Sequence, residues 1–405
     1  MEPRKRRRVS RLAVLAMMLF ALAMVGCWDR KAVEDVGFVT VIGLDKGEGE
    51  NIRVTVQIAN PRVITGGKAA GGGGGSEGGN QPAALVQRIE EPTVSQALRD
   101  LETFTSRRIS MVQTRVIVVG RSLAEEGLGA HIGILTRFRE FRRNIQIMVA
   151  DGTAEDVLVV GPTLERDPAT FLEDLGRRAA ERTGRAPRTT LHNFLLAYET
   201  LGEEIVLPVV RPFTVEPGME NKPEIKSQLF GSALFRRGRM VSELNETETE
   251  TLLMLKGEIE SFLEVLPAPG SQQLMSFQLT GERRDVHVDT SGPQARFFVD
   301  VVLEAQALES PSGDATLGDP EGVRMLERQL ARQMTQKANA LVGKLQKECA
   351  CDAVGFGHYM RTRFLDWQSW ERYNWPEQFP KAKIEVSVRV FIRRSGMTFQ
   401  SPVGR

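Results

Sequence analysis

The chain has 405 residues, 41% of them apolar and 26% charged, which is too long for one ordinary core and makes two or three domains the natural number. Formal net charge is +1, but the first 26 residues hold an excess of base, so the rest carries about −4. A balance of that kind gives no reason to expect nucleic acid or an anionic surface as a partner.

Residues Met1-Glu2-Pro3-Arg4-Lys5-Arg6-Arg7-Arg8 precede an unbroken apolar run from Leu12 to Val25. Base followed by an apolar run is the order of an export signal. The run falls short of the roughly 20 residues that cross a hydrocarbon core, which favours a cleaved leader over 1–26. Its end, Met24-Val25-Gly26-Cys27, resembles the lipobox of bacterial lipoproteins, although Leu is commoner where Met24 stands. By that resemblance Cys27 is the candidate site residue, carrying an S-diacylglyceryl group with or without a further N-acyl chain. Two acyl chains, at about 0.8 kcal/mol per buried CH2, hold a soluble domain stably. An ordinary cut near Cys27, or an uncleaved anchor, is the plainer alternative.

Gly37 to Leu44 and Ile52 to Ile58 read as two strands joined by the turn Asp45-Lys46-Gly47-Glu48-Gly49. Residues 66–80 are mostly Gly and predict a flexible surface loop. Gly67-Lys68-Ala69 lacks the Ser or Thr of a phosphate-binding loop. Thr93 predicts an N-cap for a helix through Leu101, Thr114 to Val119 a strand, Leu123 to Phe141 a helix, and Ile145 to Val149 a strand. Helices over Pro168 to Arg182 and Thr190 to Leu201 close an N-terminal domain, 27–203.

Ile205 to Val210 contains Pro208, which suits a sheet edge or linker. Ser227 to Phe235 and Arg239 to Val241 flank the turn Arg236-Arg237-Gly238, and Asn245 caps a helix through Lys256; these define a small middle domain, 204–268. In the C-terminal domain, 269–405, the segments Leu274 to Leu279, Asp285 to Val288 and Arg296 to Leu308 predict an antiparallel meander. A helix follows with Val323, Leu326, Leu330, Met334, Ala338, Leu341 and Leu345 on one stripe, and Ile384 to Ile392 alternates as a closing strand. The fold class is α+β, three domains in series, each a mainly antiparallel or mixed sheet with packed helices.

The local chemistry is sparse. His131, His192, His287 and His358 stand far apart without metal-ligand spacing, so no metal and no cofactor are expected. Gly74-Gly75-Ser76-Glu77-Gly78 has the letters of a nucleophile elbow without the strand and helix that motif needs, and no catalytic residue is assigned. Cys349 continues the helical stripe, so Cys349 and Cys351 read as structural; a loop this short strains a disulfide. Trp367, Trp370, Tyr373 and Trp375 read as packing between helix and sheet.

The chain resembles the Ger(x)C family, the lipoprotein C subunits of nutrient germinant receptors in endospore-forming bacteria. The resemblance starts at Cys27-Trp28-Asp29-Arg30 and Ile42-Gly43-Leu44-Asp45, and continues through Pro187 to Leu191 and Leu207-Pro208. It runs on through Gly231 to Phe235, Leu244 to Thr249 and Leu255-Lys256-Gly257, and ends with Asp352, Gly355-Phe356-Gly357, Trp375, Phe379-Pro380 and Arg393 to Gly396. The Gly-rich insertion and the two cysteines before Asp352 depart from the family pattern. The resemblance implies a non-catalytic subunit held at the outer surface of the spore inner membrane by lipid on Cys27. Its partners would be integral membrane subunits of the A type and of the transporter-like B type. Whether this subunit itself binds the small-molecule germinant stays open. The alternative is an extracytoplasmic solute-binding lipoprotein of a transport system, disfavoured by strands that read as mostly antiparallel.

Overall fold

A computed structural model describes residues 36–60, 83–160, 167–215, 224–292, 294–311 and 316–394. The leader, Cys27 to Arg30 and the Gly-rich segment 66–80 lie outside the described residues.

Strands β1 (Val36–Lys46), β2 (Ile52–Ala59) and β3 (Ala84–Glu91) pair antiparallel, as the alternation around the 45–49 turn predicts. Helix α1 (Val94–Phe104), capped by the Thr93 side chain on the Gln96 N–H, then brings the chain back to the start of β1. There β4 (Arg108–Ser110) and β5 (Val116–Gly120) both pair parallel to β1. Helices α2 (Arg121–Glu126) and α3 (Gly129–Arg137) lead to β6 (Gln146–Ala150), parallel to β5. Next come α4 (Ala154–Val159), α5 (Pro168–Thr183), α6 (Leu191–Glu199) and β7 (Val206–Val215), parallel to β6. The antiparallel β8 (Glu224–Arg236) and β9 (Arg239–Leu244) complete a sheet ordered β3-β2-β1-β5-β6-β7-β8-β9, with β4 beside β1.

Strands β5 and β6 are buried on both faces, as parallel strands covered by crossover helices must be. One face packs Ile117, Val119, Ile147 and Val149 against Leu98, Leu101, Leu128 and Phe194. The other packs Val116, Val118 and Met148 against Val157, Leu158 and Leu172.

Helix α7 (Glu246–Lys256) follows, then β10 (Ser261–Pro267), β11 (Leu274–Asp289) and β12 (Arg296–Glu309), a second, antiparallel meander. Helix α8 (Pro320–Lys344) presents the expected stripe, with Leu326, Leu330, Met334, Ala338 and Leu341 buried. Three short helices, α9 (Phe356–Arg361), α10 (Trp367–Tyr373) and α11 (Trp375–Gln378), lead to β13 (Lys383–Arg394).

Several expectations change. Leu123 to Phe141 is two helices, because Gly127 takes φ 120, outside any helical conformation. The segment containing Pro208 is no edge: β7 lies between β6 and β8, and the missing N–H falls where the β7–β8 register shifts, between Pro208 and Val210. Segments 274–279 and 285–288 are one strand, β11, kinked by an irregularity between Gly281 and Arg283. The closing strand pairs parallel to β12, so α8 is a crossover helix and the second sheet is mixed. Strands β7 to β9 continue the large sheet across position 204, so the segment 204–268 has no sheet of its own.

Candidate functional site

Cys27, the site residue singled out in the sequence, lies outside the described residues together with Trp28, Asp29 and Arg30. The later residues that carry the family resemblance are described as far as Arg394, with Ser395 and Gly396 outside the described residues, and many of them converge on one place, the joint between the two sheets.

Helix α7 is the wedge of that joint. A capping box starts it: Asn245 accepts from the Glu248 N–H, and Glu248 accepts from the Asn245 N–H. Gly257, at φ 73, ends it in the left-handed conformation. In between, every residue from Thr249 to Leu255 is buried, so the helix has no solvent face beyond its first turn. Ser232 of β8 meets Thr249 at 2.9 Å, and Lys344 of α8 pairs with Glu248 at 2.8 Å. Val206, Leu234 and Leu244 of the large sheet share one apolar cluster with Leu252, Leu255, Phe277, Phe297 and Leu330.

Asp352 closes the joint from the other side. Ala350, at φ 48, turns the chain out of the π-helical turn Leu345–Cys349 and delivers Asp352 inward. Its carboxylate accepts from the Gly355 N–H at 2.9 Å, the Gly357 N–H at 2.7 Å and the Trp375 indole at 2.8 Å. Its own carbonyl accepts from the Glu204 N–H at 2.9 Å, and the Trp370 indole donates to the Leu201 carbonyl at 2.8 Å. Gly357 lies against Gly202 so closely that a Cβ there would stand 2.4 Å from the Gly202 Cα. Burial pushes the Asp352 carboxyl up to about 6, and its hydrogen bonds stop it rising further. It is therefore an anion at neutral pH, held by N–H dipoles.

Beside it, Glu203 contacts both Lys256 and His358, the latter at 2.9 Å. Burial pushes Glu203 up, but the hydrogen bond from His358 and the Lys256 ammonium outweigh it and hold the carboxyl at about 2. His358 is raised in turn, first by that hydrogen bond. No local spacing announced this triad, since its members stand more than fifty residues apart and Glu203 belongs to no motif.

Most of the other candidates resolve as packing, but Trp367 does not: it is 47% exposed, with the Arg361 guanidinium over its ring. Cys349 and Cys351 are free and buried, and the Cys351 thiol is pushed well up by its hydrogen bond to Cys349 and by burial. Trp370 and Trp375 are almost fully buried; Phe297 stands 5.6 Å from Trp375 and 5.2 Å from Phe356. His131, His192 and His287 stay apart from the joint, and no group of three or more potential metal ligands occurs among the described residues. A groove of about 510 Å³ lies near the end of β1, lined by Lys46, Thr93, Glu126, His131 and Phe138. Within it Lys46 pairs with Glu126 at 2.8 Å.

Residues 29–212 match the family described as spore germination protein N-terminal domain, and residues 230–396 the one described as spore germination B3/GerAC like, C-terminal. Spore germination protein KC of Bacillus subtilis (strain 168) is 25% identical over 403 residues, covering 95% of this chain and 96% of that protein. Spore germination protein A3 of the same organism is 22% identical over 394 residues, covering 95% and 98%. The crystal structure of the GerBC protein superposes with a TM-score of 0.54 at 16% identity, covering 87% of this chain and 96% of that one, which establishes the shared α+β fold. The chain belongs to the Ger(x)C family of spore germination proteins.

Proposed function

We propose that this protein is a non-catalytic lipoprotein subunit of a spore nutrient germinant receptor, anchored by lipid on Cys27 at the outer surface of the spore inner membrane. There it assembles with integral membrane subunits of the A and B types. The observation that carries the reading is the match of nearly the whole chain, beginning two residues after Cys27, to germination proteins whose names include A3 and B3. The joint supports it. Two sheets wedged on one buried helix suit a rigid body that takes a force at the membrane and passes it on.

The test replaces Cys27 by Ala and follows fractionation and germination together. The protein is expected to leave the membrane fraction or to persist as an unprocessed precursor, and nutrient germination to fall. Normal mature mass, retained membrane binding and normal germination would refute the anchor.

A capture protein of a transport system remains the second reading, and one observation favours it more than the sequence suggested. Strands β1, β5, β6 and β7 are parallel, the arrangement whose carboxyl ends commonly form ligand clefts. Calorimetry with nutrient mixtures separates the two readings: tight binding by the isolated chain supports capture, and none supports the receptor subunit.

A further inference from the structure

Strands β1, β5 and β6 are parallel, so their first residues share one edge of the large sheet. Helices α1 and α3 both pack on the same face of that sheet, and α1 ends at this edge, at Phe104. Two loops, 105–115 and 138–145, therefore meet there, and Glu140 ties them by accepting from the Met111 N–H at 2.6 Å and the Ser110 hydroxyl at 3.1 Å.

The two segments bring Arg107, Arg108, Arg139, Arg142 and Arg143 to this edge. Among the described residues none of these five side chains has a carboxylate partner, and all but the half-buried Arg107 are exposed. The nearby carboxylates are occupied by backbone donors, Glu140 as above and Glu102 by the Ile109 N–H at 3.0 Å. Apolar side chains stand among the arginines: Phe104 is 52% exposed and Val112 38%. Arginine interleaved with aromatic and aliphatic side chains is the composition of a surface that meets the headgroup layer of a bilayer.

Chain length selects that occupant. Val36, the first residue of β1, pairs with Arg108 and stands nine positions after Cys27. Nine extended residues span at most about 30 Å, so a lipid on Cys27 keeps this edge, of all edges, close to the membrane.

We propose that this edge is a membrane-docking rim, in which the arginines contact anionic phospholipid headgroups while Phe104 and Val112 enter the interface. The rim's nearness to the bilayer rests on the lipid reading of Cys27; its affinity for headgroups does not. It would fix the orientation of the protein rather than anchor it, since two acyl chains already hold it stably.

The test uses the chain from residue 27 onward with Cys27→Ala, which carries no lipid. It is mixed with vesicles of phosphatidylcholine alone or of phosphatidylcholine and phosphatidylglycerol in equal parts. Sedimentation with the mixed vesicles only, reversed by salt, is the expected result. The variant Arg108→Gln/Arg139→Gln/Arg142→Gln/Arg143→Gln is expected to bind about 600-fold more weakly with an unchanged melting temperature, each arginine contributing roughly fivefold. Phe104→Ser, which leaves the charge alone, is expected to weaken binding as well. Equal binding by the arginine variant, or to both kinds of vesicle, overturns the proposal. Capture of an acidic peptide without vesicle binding also overturns it, in favour of a protein partner. The fate of Cys27→Ala in spores is scored separately, so either idea can fail alone.

Discussion

Asp352 meets three N–H donors and, among the described residues, no cation within salt-bridge distance. Hydrogen bonds to an ionised acceptor are roughly twice as strong as neutral ones, which is how a buried carboxylate survives without an ion pair. Two of the donors come from the Gly355-Phe356-Gly357 run, and each glycine has its own reason to be there. Gly355 takes φ 84, and Gly357 leaves no room for a side chain against Gly202 and Trp375. Gly357→Ala should therefore cost about 3 kcal/mol through overpacking against backbone that cannot give way, measured by urea unfolding of the whole chain. An unchanged midpoint would mean that the joint is looser than described. The sequence showed Asp352, the two glycines and Trp375 in order, because all four stand within 24 residues. It could not show the carboxylate collecting their N–H groups, nor Glu203 joining Lys256 and His358, because contacts across such separations leave no local pattern.

Helix α7 makes the clearest case at the next scale. Its Asn245 cap and its end at Lys256 were legible, as local chemistry usually is. Glu250, in the second turn of that helix, is buried, and desolvation pushes its carboxyl up to about 7 against the partial relief of Arg185. A carboxyl raised on folding keeps its proton in the native chain after the unfolded chain has lost it. Stability from this group is thus lost as pH rises from about 4.5 to about 7, and the cost is fully present above that. Asp352, raised to about 6, adds a loss of the same sign over a lower range. Glu250→Gln should raise the melting temperature at pH 8 and change it little at pH 5. The same shift at both values would remove Glu250 as the cause. Strand direction was the element-level feature that sequence concealed. Alternation in β13 reports one wet face and one face under α8, and it is the same whether the neighbour runs parallel or antiparallel. Pro208 misled for a related reason, since proline's exclusion from interior strands lapses where the register shifts.

Across the whole molecule, the near-neutral charge concealed the basic rim. Arg107 and Arg108 lie more than thirty residues from the Arg139 to Arg143 cluster, and only the parallel order of β1, β5 and β6 brings them to one edge. A boundary at position 204 was drawn where the pattern paused, but hydrogen bonding from β6 to β7 crosses it. The two sheets are locked to one another by α7 and Asp352. Under the proposed reading, the lipid on Cys27 and the basic edge would hold this body in a fixed pose at the bilayer. The most direct test is affinity purification of the tagged protein from spore inner membranes in mild detergent, with its companions identified by mass spectrometry. Recovery with an integral membrane subunit and a transporter-like subunit, in constant ratio, is the expected result. Recovery of the protein alone, from membranes that contain both of those subunits, would contradict it.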